Sequence, residues 1–102
     1  MNTVKININY LVPPALDWAV CVCEKTQMGA YTRYSTDWAQ GGPIIEREKI
    51  NLEQDGFQWW AHIKADEECP GPTPLIAAMR CFVASKLGEI VEVPRELYTE
   101  EA

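Results

Sequence analysis

Polar and hydrophobic residues alternate strictly near the start of the chain. In residues 4–10, one side carries Val4, Ile6, Ile8 and Tyr10, and the other carries Lys5, Asn7 and Asn9. A period of two is typical of a β-strand with one buried face. This segment therefore predicts a strand that ends before Pro13-Pro14.

Two further strand-like runs, residues 50–54 and 57–64, flank Asp55-Gly56. An Asp-Gly pair between two such runs predicts a β-hairpin. In the second run we expect a core-facing set and an outward-facing set. The first set is Phe57, Trp59, Ala61 and Ile63, and the second includes Trp60 and His62. Residues 65–72 predict a polar, proline-rich turn, and residues 90–93 predict a short last strand.

Helical periodicity predicts two longer helices. Residues 14–26 place Leu16, Ala19, Val20 and Cys23 on one stripe. Residues 74–87 carry a broader apolar stripe, with Thr73 as a natural N-cap, Pro74 at the first position and Gly88 as the C-cap. A third, short helix is expected over residues 43–49, since Gly41-Gly42 favours a loop and Pro43 suits a first helical turn.

The order of these elements predicts an α+β fold. We expect a small, mainly antiparallel sheet with two longer helices and one short helix packed on it. The chain has 102 residues, which is enough for one core. Residues 1–94 are predicted to form a single domain, and residues 95–102 a flexible acidic tail.

The charge of the chain makes nucleic acid an unfavourable partner. Fifteen acidic residues face nine Lys and Arg, giving a net charge of -6 and a pI near 4.7 without a basic run. Nucleic acid is therefore disfavoured as a partner. No apolar run approaches the roughly 20 residues that span a bilayer, and the first residues lack the apolar core of a signal peptide. We expect a cytoplasmic protein that does not bind a membrane.

Four cysteines, Cys21, Cys23, Cys69 and Cys81, raise the question of a metal site or disulfides. Cys21 and Cys23 are two apart in a predicted helix and point away from each other, and no C-x-x-C pair exists. We interpret all four as small buried thiols in a reducing compartment. No motif supplies a nucleophile, a metal or a cofactor, so catalysis is the less favoured interpretation.

Residues 31–42 are the candidate binding loop, with three aromatic rings at Tyr31, Tyr34 and Trp38. Gly42-Pro43 and Thr73-Pro74 each predict a helix start, and helix N-termini attract anions. If the two starts converge, they would surround an anionic ligand. The predicted ligand-binding residues are Arg33, Tyr34, Ser35, Thr36, Asp37, Trp38, Gln40, Gly41, Gly42, Arg47, Thr73 and Arg80.

Structural roles compete with this interpretation at two of these residues. Asp37 could clamp a ligand with its carboxylate. A structural role, as the N-cap of a helix or as an Asx-turn aspartate, explains this residue at least as well. Arg80 lies at the edge of the buried helical stripe, where a salt bridge to Glu46 or Asp37 would satisfy it equally well.

Three separated strings carry a resemblance to a known family. They are A-L-D-W-A-V at residues 15–20, Y-S-T-D-W-A-Q-G-G-P-I-I-E-R-E at residues 34–48, and G-P-T-P-L-I-A-A-M-R-C-F-V-A-S-K-L-G at residues 71–88, followed by V-E-V-P at residues 91–94. Together they resemble the NinX-like family of small phage and prophage proteins. The resemblance implies a phage accessory protein made in a bacterial cytoplasm, and it implies no established activity.

Two functional hypotheses follow from these observations. The first is a non-catalytic binder of a small anionic molecule, such as a nucleotide that signals bacterial immunity and that the phage protein would sequester. A homo-oligomer is expected in that case, because a short chain forms deep pockets most easily between subunits. The alternative is a protein-binding accessory factor that inhibits or redirects a host or phage protein through its acidic surface and aromatics such as Trp18 or Trp60.

Overall fold

Three helices and two small antiparallel sheets make up the part of the chain that the structure describes. A computed structural model describes residues 2–64 and 67–98. In chain order the elements are β1 (Thr3–Asn7), α1 (Ala15–Glu24), α2 (Trp38–Glu48), β2 (Asn51–Asp55), β3 (Gln58–His62), β4 (Glu68–Gly71), α3 (Pro74–Leu87) and β5 (Ile90–Pro94). Short 3₁₀ turns occupy Ile8–Tyr10 and Arg95–Leu97. The predicted α+β class is confirmed.

The first sheet pairs the two ends of the fold, with β1 antiparallel to β5. The predicted first strand is too long, because β1 ends at Asn7 and a 3₁₀ turn follows. The Asn7 side chain caps this turn, since its Oδ1 accepts a hydrogen bond from the backbone N–H of Asn9 at 2.8 Å. Ile8 is buried as expected, whereas Tyr10 is 76% exposed and does not join the core.

The second sheet contains the predicted hairpin in the order β2-β3-β4. Asp55 pairs with Gln58, so the two-residue loop is Gly56-Phe57, and Gly56 has the positive φ of 64° that such a turn requires. Ala61 is buried, and Trp59 and Ile63 pack against the core as predicted. The prediction for Phe57 is wrong, because its position in the turn leaves it fully exposed.

Strand β4 replaces the predicted turn at residues 68–71. It pairs with β3, placing Cys69 opposite Ala61 and Pro70 opposite Trp60. Proline is tolerated because β4 lies at the edge of the sheet. The strands therefore form two separate small sheets, where the sequence analysis expected one.

Helix α3 is the centre of the core, and its predicted bounds are confirmed. The Thr73 Oγ1 accepts a hydrogen bond from the Ile76 N–H at 3.1 Å, and Gly88, with a φ of 93°, ends the helix. Leu75, Met79 and Phe82 are buried, and α3 contacts α1, α2 and both sheets. The buried stripe of α1 is also as predicted, with Leu16, Ala19 and Val20 inaccessible to solvent.

Packing continues beyond β5. The turn Arg95–Leu97 follows directly, and Leu97 and Tyr98 pack against the core. Of the predicted tail at residues 95–102, residues 99–102 lie outside the described residues. Within the described ranges, no helix is long and apolar enough to cross a membrane.

Candidate functional site

Helix α2 begins earlier than the sequence analysis expected. It starts at Trp38, and Gly41, Gly42 and Pro43 lie inside it. The N-cap is Asp37, whose Oδ1 accepts a hydrogen bond from the Ala39 N–H at 3.0 Å. The predicted start at Gly42-Pro43 is therefore wrong, and the candidate loop shortens to residues 31–37.

Gln40 holds this loop against the first turn of α2. Its Oε1 accepts a hydrogen bond from the Arg33 N–H at 2.7 Å, and its Nε2 donates to the Tyr31 carbonyl at 2.8 Å and to Asp37 Oδ2 at 3.2 Å. One side chain thus ties three points of the loop together. Gln40 was predicted as a ligand residue, and both ends of its amide bind the fold instead.

A second anchor joins the loop to α1. Asp17 Oδ1 accepts hydrogen bonds from the Ser35 N–H at 2.8 Å and from the Ser35 Oγ–H at 2.7 Å. Both residues are buried, with 4% of Asp17 and 1% of Ser35 exposed. Ser35 was predicted to contact a ligand, yet it faces the interior. The sequence analysis missed Asp17, although an isolated carboxylate inside the apolar run A-L-D-W-A-V signals a buried partner.

The first turns of α2 and α3 do meet, and the contact between them is tight. A Cβ on Gly41 would clash with the Tyr34 carbonyl oxygen and would lie 2.6 Å from Leu75 Cδ1. Gly41 is buried, and Tyr34 packs against the core. The two helix starts therefore touch through backbone and apolar atoms, without space for a ligand between Gly41 and Leu75.

Arg80 is satisfied by backbone carbonyls of residues outside the loop. It is 6% exposed, and it donates from Nε to the Leu11 carbonyl at 2.9 Å and from Nη1 to the Pro70 carbonyl at 2.8 Å. Burial lowers the pKa of its guanidinium. No carboxylate among the described residues forms an ion pair with it, so the suggested salt bridges to Glu46 and Asp37 are absent there. Thr73 is likewise occupied, as the N-cap of α3.

Arg47 links α1 to α2. Its Nη2 donates to Glu24 Oε2 at 2.6 Å and its Nε to Glu48 Oε2 at 2.8 Å, while its guanidinium carbon lies 5.6 Å from the centre of the Phe82 ring. The hydrogen bonds to Glu24 and Glu48 raise the pKa of Arg47. Two carboxylates already neutralise this charge, so little of it remains for an anion.

Four side chains of the loop region stay exposed. Tyr31 is 84% exposed and Trp38 53%, and Arg33 and Thr36 also face solvent. Gly42 gives the indole room, because a Cβ there would lie 3.8 Å from Trp38 Cε3. No carboxylate in residues 2–64 and 67–98 forms an ion pair with Arg33. We call Tyr31, Arg33, Thr36 and Trp38 the loop surface.

The comparison with family models covers most of the fold that carries this surface. The model described as bacteriophage P22 NinX matches residues 7–86, which include α1, the loop, α2, the three-stranded sheet and nearly all of α3. The chain belongs to the NinX family. No curated protein matches this NinX-family chain.

Other groups that could carry chemistry lie outside the loop surface of the NinX-family protein. All four cysteines are free thiols, with Cys21, Cys69 and Cys81 buried and Cys23 half-buried. In the described ranges, no group of three or more His, Cys, Asp or Glu side chains is arranged to hold a metal ion. His62 is half-buried at the end of β3, and its Nδ1 is buried with no hydrogen-bond partner among those residues.

Trp18 and Trp60, the aromatic residues predicted to form a protein interface in this NinX-family protein, are less exposed than expected. Trp18 is half-buried and packs against the core, and Trp60 is half-buried on β3. The most exposed aromatic residues in the described ranges are Tyr10, Tyr31, Trp38 and Phe57. Only Tyr31 and Trp38 belong to a segment whose backbone is held by side-chain hydrogen bonds from Gln40 and Asp37.

Proposed function

We propose that this NinX-family phage protein acts without catalysis, by binding a host or phage protein through the loop surface. The observation that supports the proposal is the exposure of Tyr31, Arg33 and Trp38 on a loop anchored by Gln40 and Asp17. Trp, Tyr and Arg are the residues enriched at the energetic centres of protein interfaces. A loop that is already ordered loses little conformational entropy on binding, which favours affinity.

A protein partner fits the remaining chemistry better than a small anion. Asp37, Gln40, Arg47, Thr73 and Arg80, all predicted ligand residues, make hydrogen bonds within the fold. The Asp37 carboxylate also lies at the N-terminus of α2, where it would repel an incoming phosphate. A net charge of -6 favours approach to a partner with a basic surface.

The test is capture of a partner from phage-infected bacteria with tagged protein at moderate salt. We expect one stoichiometric partner, and Trp38→Ala should reduce its recovery by at least about tenfold, as loss of a hot-spot tryptophan does. Phe57→Ala is the matched control, because Phe57 is equally aromatic, fully exposed and far from the loop in sequence. Equal loss with both variants, or capture unaffected by Trp38→Ala, would contradict the proposal.

A second candidate function is favoured by Arg33 alone. This guanidinium is exposed without a carboxylate partner in the described ranges, and it shares a turn with Thr36, whose N–H donates to the Arg33 carbonyl at 3.1 Å. An arginine, a hydroxyl and the Trp38 indole are the groups that bind a nucleotide phosphate and base. A second copy of the chain would have to enclose the ligand, so this candidate includes a homo-oligomer.

A thermal-shift panel separates the two candidates. Cyclic and linear nucleotides in large excess should raise the melting temperature if the second candidate is correct, since a ligand that binds only the folded state stabilises it. Arg33→Gln should remove that rise and leave the melting temperature of the unliganded protein unchanged. No rise with any nucleotide, together with partner capture, leaves the protein-binding function as the supported one.

A further inference from the structure

A cavity of about 410 Å³ lies between the end of α3, β4 and the first 3₁₀ turn, and no residue of the loop surface lines it. Its wall includes Cys69 and Cys81, together with Asn9, Glu67 and Glu89. Neither thiol takes part in the loop surface. Two free cysteines in one cavity, from two different elements, raise the question of what their chemistry is.

The packing of β4 on α3 brings the two thiols together. The two elements approach each other closely at Gly71, where a Cβ would lie 2.6 Å from the backbone nitrogen of Ala77 and 2.9 Å from its Cα. From that point Cys69 is two residues back along β4, a rise of about 6.7 Å, and Cys81 is four residues on along α3, a rise of about 6 Å. The two rises are similar, both cysteines line the same cavity, and the two thiols lie close enough to shift each other's pKa.

The contact distinguishes the two thiols chemically. The hydrogen bond from Cys81 is the main cause that lowers the pKa of Cys69; burial opposes it, and the positive charge of Arg80 supports it. The same hydrogen bond raises the pKa of Cys81, and burial adds to that rise. Burial also raises the pKa of Cys21, and it raises the pKa of Cys23 to about 11. Cys69 is therefore the thiol best able to react as a thiolate, beside a neighbour that keeps its proton.

We propose that Cys69 and Cys81 form a reversible dithiol–disulfide pair, which a small uncharged peroxide oxidises inside this cavity. The Cys69 thiolate attacks one peroxide oxygen; the O–O bond breaks, and the departing hydroxide takes a proton to become water. Cys81 then loses its proton and attacks the sulfur of the Cys69 sulfenic acid. The S–O bond breaks, the S–S bond forms and a second water leaves. Two thiols are oxidised by two electrons, and one peroxide is reduced to two waters.

The rim of the cavity selects the class of oxidant. Glu67, Glu68 and Glu89 line it, so an anionic disulfide meets three carboxylates at the entrance. Uncharged hydrogen peroxide meets no such barrier. The pair should therefore react readily with peroxide and slowly with anionic disulfides such as oxidised glutathione.

Peptide mapping of the full chain tests the proposal without any substitution. Reduced protein is treated with hydrogen peroxide, denatured, alkylated and digested with trypsin. Cleavage after Lys64, Arg80 and Lys86 puts Cys69 and Cys81 in two separate peptides, residues 65–80 and 81–86. We expect these peptides to be joined by a bond that dithiothreitol cleaves, with Cys21 and Cys23 still alkylated. A disulfide through Cys21 or Cys23, a bond between two chains, or Cys69 and Cys81 still fully alkylated after Cys23 has been oxidised would overturn the proposal.

Substituted chains assign the two roles. In Cys81→Ser, Cys69 should accumulate a sulfenic acid that dimedone traps; in Cys69→Ser, Cys81 should not label. A Cys21→Ser and Cys23→Ser double variant should form the disulfide at the wild-type rate. We expect Cys69 to react with peroxide at least about tenfold faster than Cys23, since the thiolate is the reactive form. Equal rates would contradict the assignment, even if Cys69→Ser proves unstable.

The role of the rim is tested with two disulfide probes of different charge. Uncharged 4,4′-dithiodipyridine should label Cys69 faster than dianionic Ellman's reagent, once each rate is divided by that for free cysteine. The Glu67→Gln and Glu89→Gln double variant should make these two normalised labelling rates more nearly equal. Glu53→Gln, on strand β2 and outside the lining of the cavity, should leave them as different as in the wild type. If the difference between the two normalised rates is the same in the rim variant as in the wild type, charge does not select the oxidant.

Discussion

Two arginines that both appeared suited to an anionic ligand lie in regions of opposite character. Arg80, on α3, is 6% exposed and donates to the Leu11 and Pro70 carbonyls. Arg33, in the loop, faces solvent, and within the described residues its backbone makes hydrogen bonds but its guanidinium makes none. The helix uses its charge to join chain segments, whereas the loop leaves its charge available for a partner.

The two arginines show that a residue's type alone does not identify a binding site. A residue type indicates what chemistry is available, and the existing hydrogen bonds decide whether that chemistry is already occupied. Most predicted ligand residues are occupied within the fold. The loop surface is what remains, and substitutions can separate the residues that hold the fold from the residues that it presents.

The largest effect is expected at Arg80. Arg80→Met should lower the free energy of unfolding by about 3 kcal/mol, because two carbonyl groups that it binds lose their donors inside the protein. Arg33→Met should stay within about 0.5 kcal/mol of the wild type, since surface substitutions away from such features do. Urea unfolding of both variants measures the comparison. Similar losses of stability in the two would remove the distinction between the regions.

The next effect concerns two neighbouring glycines in α2. Gly41→Ala should lower the free energy of unfolding by about 2 kcal/mol, because its Cβ would collide with the Tyr34 carbonyl oxygen and with Leu75. Gly42→Ala has room beside Trp38, and it should raise stability by up to about 1 kcal/mol through helix propensity. Thermal unfolding of the pair gives the sign of each change, and the same sign for both would contradict the packing of Gly41 on α3.

The same glycines explain why the start of α2 could not be predicted. Local propensity favours a loop at Gly41-Gly42 and a helix start at Pro43. Tertiary packing overrides that preference, since only glycine lets α2 approach Leu75 and Tyr34 so closely. The N-cap alternative considered for Asp37 is the geometry found. Starting the helix there would have placed Gln40 in its first turn, facing back to the loop.

Elsewhere, prediction worked where one local signal controlled the structure. Thr73-Pro74 and Gly88 mark both ends of α3, and the Asp55-Gly56 pair marks the hairpin. It failed for β4, because pairing with β3 stabilises a strand that contains Pro70 and Gly71. Cys69 falls in the predicted turn at residues 65–72, and only the packing of β4 on α3 places Cys81 and Arg80 near it. Such contacts between distant segments leave no local pattern.

A smaller effect is expected where the loop is anchored to α1. Ser35→Ala should lower the free energy of unfolding by about 1 kcal/mol, because the buried Asp17 carboxylate loses one of its two hydrogen bonds from Ser35. Thr36→Ala is the adjacent exposed control, and it should change stability by less than about 0.5 kcal/mol. Denaturant unfolding measures both. Hydrogen exchange at the Ser35 N–H should also speed up in Ser35→Ala, and unchanged exchange would mean that the hydroxyl does not anchor the loop.

The smallest effect on stability is expected at the loop surface, and it is the most informative about function. Tyr31→Ala should leave the free energy of unfolding within about 0.5 kcal/mol of the wild type, since 84% of the side chain already faces solvent. Partner capture by the same variant should still fall, because an exposed aromatic on an anchored loop gains its contacts only in the complex. Phe57→Ala should change neither quantity. A loss of stability in Tyr31→Ala as large as that in Ser35→Ala would mean that Tyr31 holds the fold. Tyr31 would then be a structural residue, and the proposed function would lose one of the exposed aromatics on which it depends.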